Sequence, residues 1–201
     1  MRNIDAARRL YERLDDSKLA DEVVYAYFAG HPENTEKQHV VTKVVLLDRL
    51  FSTRLRSPIQ MARHIEELAH KEGLDRDLET GVAELVDRIA LIPPRRYRSF
   101  SSKYAHFHNA DAFPLLDSYV EEASKRLYGK PVPKKTFRSF LDYMKSFREE
   151  AGLTSVDWRT LDKFLWLYGQ KKALDKGKKN VGKEVKELYQ SEPTLFEDLE
   201  P

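Results

Sequence analysis

Six histidines occur in the sequence, and two short groups among them have spacings at which a metal ion could be bound. His106 and His108 are two positions apart, which on a helix places their side chains on nearly opposite faces. His64, Glu67 and His70 follow one another at intervals of three, a spacing that drifts around the helix axis. Because the ligands of a metal ion must converge on one point, we interpret both groups as ordinary helix residues. We expect neither a metal ion nor another cofactor.

Lys103 and Asp117 lie in a segment with a basic turn, a helix that carries the lysine, a short connection and a second helix with the aspartate in its first turn. Residues 93–129 read PPRRYRSFSSKYAHFHNADAFPLLDSYVEEASKRLYG. This segment resembles the helix-hairpin-helix DNA glycosylase superfamily, whose signature has a lysine at the start of one helix and an aspartate at the next. FPLLDSYV is the counterpart of the family's proline-valine-aspartate-threonine-histidine motif. The resemblance spans roughly residues 37–170, and LDKFLWLYG looks like a closing helix of bacterial proteins similar to 8-oxoguanine glycosylases.

The resemblance implies that Lys103 is a nucleophile and Asp117 its electrostatic partner in the excision of a damaged base. A neutral lysine amine can attack the sugar carbon as the base departs and form a Schiff base. A neighbouring carboxylate stabilises the positive charge that develops on the sugar ring. Since the base must first leave the duplex, a pocket lined by aromatic rings is expected. The candidates for this base pocket are Tyr104, Phe107, Trp158 and Trp166.

Basic side chains are expected to contact duplex DNA, the partner that the resemblance implies. The stretch YRSFSS, which corresponds to the family's hairpin, has no glycine for close approach of backbone amides, so side chains are expected to contact phosphate instead. Residues 95–148 contain 12 basic and 5 acidic side chains, although the net charge of the whole chain is only +2. A basic segment of this kind is what a phosphate-binding surface would look like, but it is equally typical of a solvated helix surface, which is the interpretation that charge alone favours. The candidate DNA-binding residues are Arg95, Arg96, Arg98, Lys125, Arg126, Lys134 and Lys135.

Length and composition limit the class of protein. A chain of 201 residues, 41% of them hydrophobic, can bury a substantial core. The absence of cysteine excludes disulfides and thiolate chemistry and suits a reducing compartment. The charged start MRNIDAARRLYERLDD lacks the apolar region of a signal peptide, and no apolar run reaches the length of a membrane span. We therefore expect a cytoplasmic protein that has no membrane partner.

Apolar residues recur at intervals of three and four along almost the whole chain, which predicts an all-α fold with about nine helices in a compact bundle. The resemblance implies that this bundle is glycosylase-like. Residues 1–170 are predicted to form a single domain. Residues 171–201 are rich in charge and are predicted to form a C-terminal tail with at most one short helix.

Several helix boundaries follow from local signals. An apolar stripe predicts a first helix from about Ile4 to Leu14. Pro58 begins a helix that Gly73 ends. A single helix is expected from roughly Arg76 to Leu91, and Pro114 is expected to begin a helix that Gly129 ends. These signals place Lys103 and Asp117 on neighbouring helices.

Three functions fit these residues. The first is a DNA-binding protein that excises a damaged base through the lysine Schiff base. The second retains the fold without the chemistry, as a helical module that binds nucleic acid or protein. The third is an interaction protein with no role on nucleic acid. In the second and third, Lys103 is a solvated helix lysine and Asp117 interacts with the helix dipole.

Overall fold

The chain is mostly helical in the computed structural model, which describes residues 2–179 and 181–200. Within these ranges there are eleven α-helices, one ribbon of two short strands and a final 3-10 helix. The all-α prediction is therefore confirmed, and the expected number of about nine helices is too low. The elements are α1 (Arg2–Tyr11), α2 (Asp15–Gly30), α3 (Lys37–Leu50), α4 (Pro58–Glu72), α5 (Leu74–Thr80), α6 (Glu84–Ala90), β1 (Leu91–Ile92), β2 (Arg95–Arg96), α7 (Arg98–His108), α8 (Ser118–Tyr128), α9 (Phe137–Glu150), α10 (Trp158–Asp175), α11 (Lys183–Ser191) and the 3-10 helix Pro193–Leu199.

The chain divides into two compact units. The first unit comprises Met1–Leu19, Asp117–Pro133 and Asp142–Pro201, and the second comprises Ala20–Leu116 and Lys134–Leu141. In the first unit, α1 and α8 contact α10, and the 3-10 helix contacts α1. In the second unit, α3 contacts α4, and α7 contacts α3, α5 and α6. In the part of the chain described, no helix has the length and apolarity of a membrane span.

The apolar stripe predicted for the first helix forms a buried face. Ile4, Ala7, Leu10 and Tyr11 are buried on α1, and Leu14 is buried beyond the helix, which ends at Tyr11 rather than at the predicted Leu14. The helix has an acidic residue in its first turn and basic residues in its last turn, which is the favourable arrangement for the helix dipole. Apolar periodicity and charge placement therefore agree on the same element, which explains why the sequence was sufficient to predict it.

The predicted bounds of α4 are confirmed. The hydroxyl of Ser57 accepts a hydrogen bond from the backbone amide of Gln60, and Pro58 stands at the first helical position. Gly73 ends the helix in the left-handed conformation, with φ of 68°. A proline at the start and a glycine just after the end are strong boundary signals because neither needs support from distant residues.

The single helix expected between Arg76 and Leu91 is wrong. The structure has two short helices there, α5 and α6, separated at Gly81. Gly81 adopts φ of 74°, which ends α5, and the amide of Val82 donates a hydrogen bond to the carbonyl of Asp77. A Cβ atom at position 81 would lie 2.7 Å from the Cβ of Ala112. The break therefore allows residues near Ala112 to approach α5 closely.

Pro114 does not begin a helix, contrary to expectation. Helix α8 starts four residues later, at Ser118, and Asp117 is its N-cap. The Oδ1 atom of Asp117 accepts hydrogen bonds from the amides of Tyr119 and Val120, both at 2.9 Å. A carboxylate in this position satisfies two of the free amides in the first turn and so fixes where the helix begins.

The stretch YRSFSS, which the resemblance equates with a hairpin turn, lies at the start of α7 instead. Tyr97 is the N-cap and Arg98 begins the helix. The turn between α6 and α7 is the short antiparallel ribbon, in which Leu91 pairs with Arg96 and Ile92 with Arg95. Prolines 93 and 94 form the tip of this ribbon. The basic residues 95 and 96 therefore lie on a strand rather than in a loop between two helices.

The C-terminal residues contribute to the first unit. Helix α10 continues through position 170, and α11 and the 3-10 helix follow it, which is more helix than the sequence predicts for residues 171–201. Phe196 and Leu199 are fully buried. Glu184 accepts hydrogen bonds from the amides of Asp16 and Ser17 and from the Ser17 hydroxyl, at 2.8 to 3.1 Å. A carboxylate from the C-terminal segment thus caps the first turn of α2.

Substitution of Gly81 and of Gly129 tests whether the close approach of Ala112 requires a glycine between α5 and α6. Both have positive φ, 74° and 71°, but no atom lies within 4 Å of an added Cβ at position 129. We expect Gly129→Ala to lower the free energy of unfolding by about 1–2 kcal/mol, the cost of left-handed backbone alone. Gly81→Ala should cost roughly 1–3 kcal/mol more, because of the overlap with Ala112. Urea denaturation of both variants measures the difference, and equal losses would contradict this explanation.

Candidate functional site

Five basic side chains of the second unit form a surface that we call the basic ribbon surface. It consists of Arg95, Arg96, Arg98, Lys134 and Lys135. Four of the five are exposed, and Arg98 is half-buried. The guanidinium of Arg96 donates a hydrogen bond to the backbone carbonyl of Lys135 at 3.4 Å. This bond places the strand β2 beside the segment that precedes α9, although the two are 39 positions apart in sequence.

The exposed members of the basic ribbon surface are not neutralised by carboxylates. Among the described residues, Arg95, Arg96, Lys134 and Lys135 form no ion pair within 4.0 Å. Nearby arginines differ in this respect. Arg138 is paired with Glu84 at 3.0 Å, and Arg88 is paired with Asp77 and Glu72. Unpaired cations are those that gain most when a phosphate replaces their counterions.

The other two predicted DNA-binding residues, Lys125 and Arg126, belong to the first unit. Both are exposed and lie in the last turn of α8, where positive charge is favourable for the helix dipole. Arg126 forms an ion pair with Glu122 at 3.6 Å, one turn earlier in the same helix. Their position is explained by α8 alone, so they are not included in the basic ribbon surface.

Lys103 is buried, which was not predicted. Its side chain is only 5% exposed, and its Nζ atom donates a hydrogen bond to the hydroxyl of Ser99 at 3.1 Å. Lysine is among the residues least often buried, because its charge loses hydration there. The interpretation of Lys103 as a solvated helix lysine is therefore wrong. Asp117, its predicted partner, is assigned to the first unit, where its carboxylate caps α8.

The four aromatic residues predicted for a base pocket are divided between the two units. Tyr104 and Phe107 are buried on α7 in the second unit. Trp158 and Trp166 lie on α10 in the first unit. The guanidinium of Arg148 stacks 4.1 Å above the ring of Trp158, which is buried, and Trp166 is half-buried. Tyr104 and Phe107 pack within the core of their own unit, so a base would contact them only after core residues moved.

A buried network around Lys43 was not predicted. The Nζ atom of Lys43 donates hydrogen bonds to the carbonyl of Glu33 at 3.0 Å and to Oδ1 of Asn34 at 2.9 Å. Oδ1 of Asn34 also accepts a hydrogen bond from the hydroxyl of Tyr104. Asp75 accepts from both the side-chain and the backbone amide of Asn34, at 2.6 and 3.1 Å. Asn34 therefore links a buried cation to a carboxylate.

Burial changes the protonation of this network. It lowers the pKa of Lys43 to about 8, against a smaller opposing effect of the Asp75 carboxylate. The ring of His108 lies beside this lysine, with Nε2 3.4 Å from Nζ. Burial, together with the Lys43 charge, holds the pKa of His108 well below its usual range. His108 is therefore neutral, and the nearby positive charge belongs to Lys43.

The histidines do not form a metal centre in the part of the chain that the structure describes, where no three His, Cys, Asp or Glu side chains converge. The Nε2 atom of His64 lies 2.9 Å from the carbonyl of Arg88. His106 is hydrogen-bonded to the carbonyl of Phe113, whereas His108 faces Lys43. Each of these rings has its own local partner, which accounts for its orientation.

Residues 3–112 match a protein family described as HI_0787_N, N-terminal domain, so more than half of the chain is matched. The chain belongs to the HI_0787_N family. It is also similar to an uncharacterised protein of Haemophilus influenzae, with 28% identity over 181 residues and 84% of each chain covered. No solved structure shows a significant match.

The HI_0787_N match contains most of the residues described above. Lys103, Arg95, Arg96 and Arg98 all lie within residues 3–112, as does the Lys43 network. Asp117 lies five positions beyond the end of the match. The part of the chain that defines the family therefore includes the ribbon and helix α7 but not the N-cap of α8.

The depressed pKa of Lys43 has a measurable effect on stability. Between pH 8 and 10.5 the unfolded chain still binds the Lys43 proton while the folded chain has lost it. The penalty for burying the charge is therefore fully present below pH 8 and is relieved as the pH rises through this window. As the pH rises through this window, the free energy of unfolding of the native protein should rise by up to about 3 kcal/mol more than that of a Lys43→Met variant.

Denaturant unfolding of both proteins at pH 7 and pH 10 measures this difference. Because both contain the same other titratable groups, the contribution of those groups cancels when the two are compared. Lys145→Met is the matched control, because Lys145 is exposed. The stability difference between the native protein and Lys145→Met should be the same at pH 7 and pH 10. A stability difference between the native protein and Lys43→Met that does not change with pH would contradict the assignment.

Proposed function

We propose that the protein binds duplex DNA through the basic ribbon surface. The observation that carries this proposal is the exposure of four cations with no carboxylate partner among the described residues. Arg95 and Arg96 are adjacent on β2, and their side chains leave opposite faces of the strand. Lys134 and Lys135 lie beside this strand through the bond from Arg96.

Phosphate is the ligand that such a surface fits best. Each Lys or Arg that replaces a counterion on the DNA backbone contributes to affinity without reading a base, so a compact group of cations binds a duplex of any sequence. An acidic protein surface is a weaker fit, because it would need carboxylates at matching positions. A phosphodiester backbone instead offers anionic oxygens at regular intervals.

The resemblance also leads to proposals on the fold and on the cellular location of the protein. We propose that the arrangement of helices is helix-hairpin-helix glycosylase-like, with the short ribbon in place of the glycine hairpin. We also propose that the protein acts in the cytoplasm, where bacterial DNA is found. The absence of cysteine is compatible with that reducing compartment.

Base excision by Lys103 is the second candidate function, and one observation favours it over simple binding. Lys103 is almost fully buried on the helix that begins immediately after the ribbon, whereas the cations of the ribbon are exposed. In the step proposed, the neutral Lys103 amine forms a bond to the sugar carbon while the bond from that carbon to the base breaks, and the departing base takes the proton that the amine loses. Opening of the sugar ring then leaves the Schiff base. The resemblance assigns stabilisation of the charge on the sugar to the Asp117 carboxylate.

Removal of two ribbon cations tests DNA binding. The double variant Arg95→Ala, Arg96→Ala should weaken binding to a fluorescently labelled duplex at every sequence tested. The slope of log affinity against log salt should fall by about 1 for each phosphate that the variant no longer neutralises, and so by about 2. Fluorescence anisotropy over a range of salt concentrations measures both quantities.

Lys145→Ala is the matched control for charge, since Lys145 is exposed, lies within the same basic segment and is not part of the basic ribbon surface. Its affinity and salt slope should equal those of the native protein. Absence of duplex binding by the native protein at low salt would exclude the DNA-binding function and leave the interaction protein as the remaining hypothesis.

Borohydride trapping tests the chemistry separately. A Schiff base between Lys103 and an abasic or damaged sugar is reduced by borohydride to a stable amine, which appears as a covalent protein–DNA product on a denaturing gel. We expect this product with at least one duplex in a panel of abasic, oxidised and alkylated substrates. Lys103→Met should abolish it, and Lys145→Ala should leave it unchanged.

Duplex binding without a trapped product on any member of the panel would identify a non-catalytic DNA-binding module of the same fold. A product that persists in Lys103→Met would mean that another amine reacts. Thermal unfolding of Lys103→Met controls for loss of structure. If this variant remains folded and still binds duplex, loss of the trapped product is due to the missing amine and not to unfolding.

A further inference from the structure

His106 is held in one orientation by two short hydrogen bonds within the second unit. Its Nδ1 atom lies 2.7 Å from the carbonyl of Phe113, and its Nε2 atom lies 2.7 Å from the hydroxyl of Tyr25. A carbonyl can only accept, so Nδ1 carries a proton and donates it. In the neutral ring Nε2 then has a lone pair and accepts from the Tyr25 hydroxyl. The imidazole is thus arranged as a base toward the phenol.

Tyr25 differs from His106 in its exposure. His106 is only 1% exposed, whereas Tyr25 is half-buried, with its ring 4.6 Å from that of Phe107. A hydroxyl nucleophile, an adjacent base and a third group that orients the base form the arrangement that activates side-chain hydroxyls in enzymes. Here the three groups are the Tyr25 hydroxyl, the His106 ring and the Phe113 carbonyl.

A loop with unusual backbone conformation starts beside the same aromatic group. The ring of Phe51 lies 5.1 Å from that of Phe107, and the loop that follows contains Ser52 and Arg54 with φ of 50° and 58°. Left-handed conformations are unfavourable for residues with a Cβ atom, and they concentrate at functional sites. Arg54 is exposed.

Asp48 holds this loop in place. Its Oδ1 atom accepts hydrogen bonds from the hydroxyl of Thr53 at 2.9 Å and from the amide of Leu55 at 2.8 Å. These bonds flank Arg54 on both sides and compensate for its strained backbone. The backbone on both sides of Arg54 is thus fixed while its side chain is exposed, and guanidinium groups bind phosphate oxygens in pairs.

We propose that Tyr25 is a nucleophile activated by His106 and that its substrate is a phosphate ester contacted by Arg54. The Tyr25 oxygen forms a bond to phosphorus while the bond from phosphorus to the leaving alcohol oxygen breaks. His106 takes the proton of the phenol at Nε2 and gives it to that alcohol. Water then releases the phosphoryl group from the tyrosine by the reverse proton transfers. This site is independent of the basic ribbon surface.

Labelling with an aryl sulfonyl fluoride tests the activation of Tyr25. This probe forms a sulfonate ester with an activated phenol and releases fluoride, and peptide mapping by mass spectrometry gives the rate at each tyrosine. We expect Tyr25 to react at least about tenfold faster than Tyr97, which is also half-buried. The side-chain amide of His106→Asn can still donate to Phe113 but lacks Nε2, so this variant should reduce the rate to that of Tyr97.

Equal rates at Tyr25 and Tyr97, or a rate that His106→Asn leaves unchanged, would overturn the proposal. Tyr25→Phe controls for reaction at other sites, and thermal unfolding of each variant shows that it is folded. These results are separate from duplex binding by the ribbon, because neither variant changes a cation of that surface.

Protection from labelling identifies the source of the phosphate ester. Orthovanadate, a phosphate analogue, should slow the labelling of Tyr25, and Arg54→Ala should remove that protection. Protection by vanadate but not by a DNA duplex supports a small phosphate ester, and protection by the duplex supports a nucleic-acid phosphodiester. Labelling that neither ligand slows would overturn the assignment of the substrate class.

Discussion

Helix α7 is buried along almost its whole length although it is rich in polar side chains. All eight residues from Phe100 to Phe107 are buried, and they include two serines, a lysine, a tyrosine and a histidine. A buried polar group without a hydrogen-bond partner costs about 1–3 kcal/mol, so each of these side chains requires a specific partner. The second unit is arranged around this requirement.

Three of these side chains, Ser102, Tyr104 and His106, have partners outside α7. The hydroxyl of Ser102 contacts both the amide and the carbonyl of Leu116, which keeps the residues before α8 extended. Tyr104 donates to Asn34, and Asn34 in turn accepts from Lys43 of α3. His106 contacts Tyr25 of α2 and Phe113. One polar helix therefore fixes the positions of α2, α3 and the following connection.

Elements governed by local signals could be predicted from the sequence. The α1 stripe and the ends of α4 depend on residues within a few positions of one another, and both predictions are confirmed. The division at Gly81 is coupled to Ala112, 31 positions away, and local spacing contains no record of that neighbour. The late start of α8 has a local cause, because Asp117 caps the helix three positions after Pro114 and the prediction chose the wrong one of two start signals.

The buried lysines follow the same logic, although they did leave a signal. Val40, Lys43, Val44 and Leu47 have the spacing of an apolar helix face, with a lysine at one position of it, and all four are buried. Phe100, Lys103, Tyr104 and Phe107 repeat that pattern in α7. A lysine in phase with an apolar stripe is thus a sign of burial, since the face must turn inward as a whole. Its partners could not be predicted, because those of Lys43 lie 9 and 65 positions away.

The two buried lysines differ in where their hydrogen bonds lead. The bonds of Lys43 join α3 to the preceding loop and, through Asn34, to α7, so moving its amine would disrupt contacts between elements. The bond from Lys103 to Ser99 spans one turn of a single helix, and Lys103 has a further interaction besides this bond. Lys43 is therefore the lysine whose hydrogen bonds hold elements of the second unit together, because they reach residues outside its own helix.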